Sequence, residues 1–482
     1  MPILRRGLSA DGAFGPAYDD QTHYFSWVQD ASQHLLVSNR YDLPTSPHDL
    51  LHPVLATSGL IHRATSLGVV ESYVLWLPVA WALVIFAVWR YAGRFLGTGW
   101  ARTAASAIAL LWVPPAAAIA DWTHWQDVHW LATGYDSTTL TWTRGAYPGI
   151  LAGALLPLAL LGVERCRRSS SRARVAGVAA LALLASWIHP WQGVLLIVIV
   201  VVAEGVTILR TRTWRPVPAV VVGAALVPLV YWAMLPRLDS FWSGAQLVGR
   251  ATIPLTLAIL IIAPLAVPAA GAYRRLPSDW GEIALRAWPA AAVVLALIPG
   301  SSPTHYLLML PLPLGVLAVR GLAAIRPRSP AKALAMAALA LLAVPGAVWL
   351  ADREAGVDGF SLDRLGRGER AALESLAKEP RSGGVIASSE AVASMVPFRT
   401  GHPTYASNDV WATDAGRRAQ RIAELFGGTM PGRDIRAFLR ETRARFLVAD
   451  CARGTAQLET ALPRGSTRRT WGCVRLYSLP AA

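Results

Sequence analysis

Ten apolar segments follow one another between residues 73 and 350 of this 482-residue chain. A helix needs about 20 predominantly apolar residues to cross the hydrocarbon core of a bilayer, so segments of this kind predict membrane-spanning helices. Only 16% of the residues are charged, whereas a soluble chain carries about a quarter. We therefore exclude a soluble enzyme and predict a polytopic α-helical membrane protein with about ten membrane helices. The segments are 73–89, 101–120, 147–163, 175–188, 191–208, 217–235, 251–270, 286–299, 305–320 and 332–350.

The fourth and eighth segments are short, and each ends at a proline-containing break. One break is His189-Pro190, and the other spans residues 299–303. Each break is typical of a tight hairpin at one membrane face, and a single kinked span is the alternative.

The arginines predict how the chain is oriented. Alternate loops between the segments carry 18 Lys/Arg on one side of the membrane and 3 on the other. Since positively charged loops stay in the cytoplasm, residues 1–72 and 351–482 are expected to lie outside it, flanking the membrane domain 73–350. An exported segment 1–72 needs a preceding membrane helix. We expect one upstream, which would bring the total to eleven membrane helices. The alternative is an N-terminal tail that inserts late.

Residues 351–482 differ from the rest of the chain because charges become frequent there. Short β-like runs at 384–387, 445–449 and 473–477 alternate with predicted helices near 362–378, 413–427 and 432–443. This pattern predicts a small extracytoplasmic α/β domain. Cys451 and Cys473 both fall in it, on the oxidising side of the membrane, where they form either a disulfide or two free thiols.

An acidic pair, Asp19-Asp20, precedes a predicted amphipathic helix near the start of the chain. Two adjacent carboxylates can bind a cation or accept a proton from a hydroxyl, and they can also cap a helix. The surrounding motif reads Asp20-Gln21-Thr22-His23-Tyr24.

This acidic loop, the many membrane helices and the external α/β domain together resemble the GT-C superfamily of membrane glycosyltransferases. The family motif Asp-Glu-x-x-Tyr is matched by Asp20 and Tyr24, while Gln21 replaces the glutamate. The resemblance implies a polyprenyl-phosphate sugar as donor and Asp20, assisted or replaced by Asp19, as the general base. It also leaves open a divalent cation such as Mg²⁺ or Mn²⁺, which the sequence does not require.

A departing lipid phosphate needs cationic or hydrogen-bonding partners. Arg144 is the only arginine of the loop 121–146 and could bind a phosphate through two hydrogen bonds. His189 and His305 are expected at the outer ends of the hairpins, and Arg237 is near another external loop. The alternatives are interfacial anchors for the arginines and turn caps for the histidines.

Loop 121–146 is rich in tryptophan, and its Trp122 and Trp125 have acidic and histidine neighbours. Aromatic faces with interleaved polar groups suit sugar binding, and an interfacial aromatic belt is the alternative. No known metal-ligand spacing is present in this loop.

The sequence thus predicts a cytoplasmic-membrane glycosyltransferase that acts on a polyprenyl-phosphate-linked sugar and an extracytoplasmic glycan, lipid or protein acceptor. Its net charge of +15 is spread along the chain, so no nucleic-acid partner is expected. Two other classes stay open. One is a lipid or polysaccharide transporter, which the scarcity of charges within the spans disfavours. The other is a non-catalytic envelope scaffold, and its main support is Gln21 in place of the family's acid.

Overall fold

Within the residues that the structure describes, five helices are long and apolar enough to cross a membrane. This computed structural model describes residues 18–97, 99–123, 137–142, 145–248, 250–251, 255–273, 277, 279–325, 330–355, 365–406, 412–451 and 455–480. The chain divides into a first unit, built from Met1–Leu75, Met234–Gly249 and Asp358–Ala482, and a second unit, built from Trp76–Ala233 and Arg250–Val357.

Helices are the commonest elements among the described residues of both units. In chain order they are α1 (Tyr18–Ala31), α2 (Pro53–Ala64), α3 (Val69–Val74), α4 (Trp76–Phe95), α5 (Trp100–Leu111), α6 (Pro115–Trp122), α7 (Thr139–Trp142), α8 (Tyr147–Arg168), α9 (Arg172–Ile188), α10 (Pro190–Thr211), α11 (Pro216–Leu238), α12 (Ser240–Val248), α13 (Leu255–Ala270), α14 (Trp280–Leu297), α15 (Pro311–Ala323), α16 (Pro330–Ala355), α17 (Arg367–Leu376), α18 (Glu390–Thr400), α19 (Ala415–Gly427), α20 (Gly432–Thr442) and α21 (Ala456–Ala461).

Five predicted spans coincide with the helices that are long and apolar enough to cross a membrane. These helices are Val69–Phe95, Tyr147–Arg168, Pro190–Thr211, Pro216–Leu238 and Trp280–Leu297. The polytopic membrane class is therefore confirmed at this level, and the total of ten spans stays a prediction.

Two predicted spans are wrong in detail. The segment 101–120 is not one helix, because α5 ends at Leu111 and α6 begins only at Pro115. The segment predicted at 305–320 begins in a 3₁₀ helix, Pro303–Leu307, and α15 starts at Pro311. Both α6 and α15 begin with a proline, which lacks the N–H that a helix interior requires.

Helices of the second unit pack closely where small residues meet. Helix α8 packs against α4 and α9, and α15 packs against α5 and α13. A Cβ added to Gly321 of α15 would lie 1.9 Å from the carbonyl oxygen of Pro268 in α13, so only glycine fits there. At the ends predicted to face the cytoplasm, the Arg94 guanidinium pairs with Glu164 and Asp279 at 2.5 and 2.6 Å.

The first unit carries a four-stranded mixed sheet. Its strands are β3 (Gly384–Ala387), β4 (Ala444–Ala449), β5 (Thr467–Trp471) and β6 (Val474–Ser478), and a short antiparallel pair, β1 (Arg250–Ala251) and β2 (Gly300–Ser301), lies in the second unit. The sheet order is β3-β4-β6-β5, with β3 parallel to β4 and the other neighbours antiparallel.

The three predicted β-runs in the C-terminal region and three helices near their predicted positions are confirmed. Strand β5 was not predicted, because its Thr-Arg-Arg-Thr-Trp sequence is largely exposed and polar. Such charged edge strands protect a sheet from pairing with other chains. Cys451 and Cys473 form a disulfide, with their Cα atoms 4.8 Å apart, which resolves the two alternatives.

Candidate active site

Asp20 lies in the first turn of α1, where the helix dipole stabilises a carboxylate. Tyr24 follows one turn later, so the two side chains share a face of the helix. Burial, and secondarily the Asp20 charge, raise the pKa of the Tyr24 hydroxyl well above its usual value. The phenol therefore stays protonated near neutral pH beside the carboxylate, as a hydrogen-bond donor. The side chain of Asp19, which the cation alternative requires, lies outside the described residues.

Most of the circumference of α1 beside Asp20 is buried in the first unit. Gln21, Thr22 and His23 are each at most 1% exposed. The His23 ring lies on the Tyr41 ring, with their centroids 3.8 Å apart. Gln21, which replaces the family's glutamate, is thus an interior residue of this helix.

Tyr41 connects α1 to the C-terminal part of the chain. Its hydroxyl oxygen lies 3.0 Å from the Thr22 carbonyl oxygen and 2.9 Å from that of Ser394 in α18. Phe25 of α1 adds an edge contact with Phe398 of α18, at 5.4 Å between ring centroids. The helix that carries Asp20 is therefore positioned by residues about 370 positions further along the chain, which no local sequence pattern signalled.

In the second unit, the structure brings together both predicted histidines. The rings of His189 and His305 lie 5.1 Å apart, and Trp142 contacts both with its ring centroid at 5.4 and 5.1 Å. Trp191 lies 4.5 Å from His305, and the Gln192 side-chain amide donates to the His305 carbonyl oxygen at 2.9 Å. We name these five residues the imidazole–tryptophan cluster.

Helix ends place this cluster. His189 alone separates α9 from α10, and a Cβ at Gly193 would lie 2.2 Å from Ser186 Oγ, so the two helices meet at a sharp bend. His305 lies in the 3₁₀ helix between α14 and α15. The sequence placed each histidine at a break but gave no sign that the two breaks meet.

The remaining candidates are not part of this cluster. Trp122 ends α6 and is 52% exposed in the second unit. Arg237, near the end of α11, is exposed and belongs to the first unit. Arg144 and Trp125 lie outside the described residues.

No protein-family model and no curated protein sequence matches this chain. Solved structures do match its fold, and among them are membrane glycosyltransferases of the GT-C superfamily. The resemblance noted in the sequence is thus confirmed for the fold.

Three of these structures show how far the likeness extends. ArnT from Cupriavidus metallidurans, bound to undecaprenyl phosphate, matches with a TM-score of 0.50 and 16% identity over 98% of this chain and 95% of its own. The apo oligosaccharyltransferase of Archaeoglobus fulgidus matches with a TM-score of 0.54 and 13% identity. The match covers 92% of this chain and 67% of that one. The mycobacterial arabinofuranosyltransferase AftD matches with a TM-score of 0.55 and 14% identity. The match covers 96% of this chain and 41% of that one.

Proposed function

We propose that this chain is a membrane glycosyltransferase that moves a sugar from a polyprenyl-phosphate carrier to a hydroxyl of an extracytoplasmic acceptor. The main support is the fold match with ArnT bound to undecaprenyl phosphate, which spans 98% of this chain and 95% of that one. A second support is the carboxylate of Asp20, held in the first turn of a buried helix. The exposed apolar helix faces suit the prenyl chain.

The reaction forms one bond and breaks another at the sugar C1. The acceptor hydroxyl oxygen attacks C1 while the bond from C1 to the carrier phosphate oxygen breaks, and the phosphate leaves with the bonding electrons. Asp20 takes the acceptor proton as general base, a role that contributes about 10²- to 10⁴-fold to a rate. Tyr24, kept protonated, donates a hydrogen bond that orients either this carboxylate or the sugar.

We assign the leaving phosphate to groups that can donate hydrogen bonds. The imidazole–tryptophan cluster offers the ring nitrogens of His189 and His305 beside the Trp142 ring, a combination that suits a phosphosugar. Arg144 is proposed as a further phosphate ligand, and Trp122, Trp125 and Arg237 as residues that contact the sugar or carrier. Substitution of each residue in turn tests its assignment separately.

The test is sugar transfer by purified protein in lipid nanodiscs. Wild type, Asp19→Asn, Asp20→Asn and Asp414→Asn receive radiolabelled polyprenyl-phosphate mannose, arabinose or glucose, with membranes as acceptor. Asp414 serves as the matched control, since its side chain is 58% exposed in the C-terminal region. We expect Asp20→Asn to lower transfer by about a hundredfold or more and Asp414→Asn to leave it unchanged.

Two results would count against the proposal in different ways. If Asp20→Asn transfers sugar as fast as wild type, Asp20 is not the base, and loss in Asp19→Asn would move that role to its neighbour. If wild type consumes none of the donors, the chain is better described as an envelope scaffold or a transporter.

Donor binding separates the phosphate assignment from catalysis. Undecaprenyl phosphate should raise the thermal midpoint of wild type because a ligand that binds only the folded state stabilises it. The shift should shrink in His189→Gln and His305→Gln and persist in His62→Gln, a histidine of α2 outside the cluster. Equal shifts in all four proteins would remove His189 and His305 from the site.

A further inference from the structure

A second polar group lies at the other end of α1, ten residues after Asp20. Asp30 is buried there, and the chain that follows folds back on it through a bridge between Val37 and Leu50. The backbone hydrogen bonds of this bridge measure 2.9 and 3.1 Å. They bring His34 and His48 side by side, with ring centroids 4.1 Å apart.

Both imidazoles approach the buried carboxylate. Nδ1 of His34 lies 3.2 Å from Asp30 Oδ1, and Nε2 of His48 lies 3.4 Å from the same oxygen. All three ligand atoms are within 4.8 Å of one another. Since bonds to zinc of about 2.0–2.1 Å place tetrahedral ligand atoms about 3.3–3.4 Å apart, two of these separations already match a metal site.

We propose that Asp30, His34 and His48 bind one divalent transition-metal ion of the zinc type. Two imidazole nitrogens and one carboxylate oxygen form a ligand set that zinc uses with a fourth position open to water. The site is separate from the sugar-transfer chemistry, because ten residues of helix place Asp30 about 15 Å along α1 from Asp20. The ion would fasten residues 32–52 to the end of this helix.

The surroundings of Asp30 prepare it as a ligand. The Ser38 backbone N–H donates to Oδ2 at 2.9 Å, and the Arg40 guanidinium pairs with Oδ1. Burial alone would raise the pKa of Asp30, but these partners outweigh it and hold the pKa below its usual value. The carboxylate is therefore ionised and fixed in orientation before an ion arrives, as partners outside the ligand set commonly achieve.

Access and competition follow from the same geometry. The side chains of His34 and His48 are 46% and 37% exposed, so an ion can reach them from solvent. Arg40 places a positive charge at one oxygen of the same carboxylate and competes with a cation. Replacing it with neutral glutamine, Arg40→Gln, is therefore expected to tighten metal binding.

The experiment is a calorimetric titration of the full chain in nanodiscs with zinc sulfate, after chelator treatment and removal of any histidine tag. Wild type should bind one equivalent through this site. His34→Ala and His48→Ala should each weaken binding by about tenfold or more, since even partners outside the ligand set contribute 10- to 100-fold. His62→Ala is the matched control, because His62 lies in the same unit and bonds the Leu67 carbonyl oxygen instead.

X-ray absorption on zinc-loaded wild type gives a second reading that needs no variant. Two imidazoles in the coordination shell support the site, and fewer than two overturn it. Absence of an equivalent in wild type, or binding that is unchanged in both His34→Ala and His48→Ala, also overturns it. These readouts do not depend on whether sugar transfer is detected.

Discussion

A buried ion pair ties the segment after α1 to the C-terminal part of the first unit. The Arg418 guanidinium pairs with the Asp42 carboxylate, and the two side chains are only 12% and 10% exposed. The Thr413 hydroxyl donates to the same carboxylate at 2.6 Å. Arg418 also lies over the Tyr405 ring, 4.8 Å from its centroid.

Removing one partner of this pair should be costly, whereas removing both should not. Arg418→Met leaves the Asp42 carboxyl in the interior without its cation, and breaking a buried ion pair in this way typically costs about 3–5 kcal/mol. Burial raises the pKa of Asp42 although Arg418 and Thr413 act in the opposite direction, so the pairing does not fully offset desolvation. We therefore expect the double variant Asp42→Asn/Arg418→Met to recover much of the loss.

The assay is a double-mutant cycle on the thermal midpoint of the protein in nanodiscs. One kcal/mol shifts the midpoint by about 2–4 °C in a unit of 150–250 residues, so Arg418→Met should lower it by about 6–20 °C. The neighbouring pair of Arg417 and Asp414, 75% and 58% exposed, is the matched control. Arg417→Met should cost at most about 1 kcal/mol. Additive effects of the two interior substitutions, or equal losses from Arg417→Met and Arg418→Met, would refute the reasoning.

Three further outcomes can be measured by thermal unfolding. Gly321→Ala should destabilise by about 1–3 kcal/mol, because its Cβ would lie 1.9 Å from a carbonyl oxygen of the facing helix, while Gly223→Ala, with nothing within 4 Å, should be tolerated. Reducing the disulfide between Cys451 and Cys473, which are 22 residues apart, should lower the free energy of unfolding by about 3 kcal/mol. Alkylation of the denatured, unreduced chain should label only one of its three cysteines. Since the folded pKa of Asp30 lies below its usual value, its contribution is present above about pH 4 and is lost as the pH falls through the lowered pKa. The destabilisation by Asp30→Asn should therefore shrink on acidification, and a constant loss would contradict this.

Much of the local structure was readable from the sequence. The apolar segments predicted helices because a bilayer leaves the backbone few other ways to satisfy its hydrogen bonds. The β-runs at 384–387 and 445–449 were also found, since they alternate with helical patterns between turn residues. The acidic pair was expected just before a helix, whereas α1 begins at Tyr18 and includes both aspartates in its first turn.

Helix ends and exposed strands were harder to predict from the sequence. The break between α5 and α6 occurs within an apolar run, where hydropathy does not reveal that a helix stops. Strand β5 is a polar, largely exposed edge strand. It shows little of the alternation of apolar and polar residues that marks a half-buried strand.

The sequence by itself determined the membrane class, the positions of most helices and the acidic motif, because these depend on residues close together in the chain. Only the tertiary structure decided which distant residues meet. It placed Tyr41 against Ser394, His189 beside His305, and two histidines at the Asp30 carboxylate. Such contacts arise when separate helices and loops pack their buried faces together, and the periodicity of one segment carries no information about which other segment will cover it.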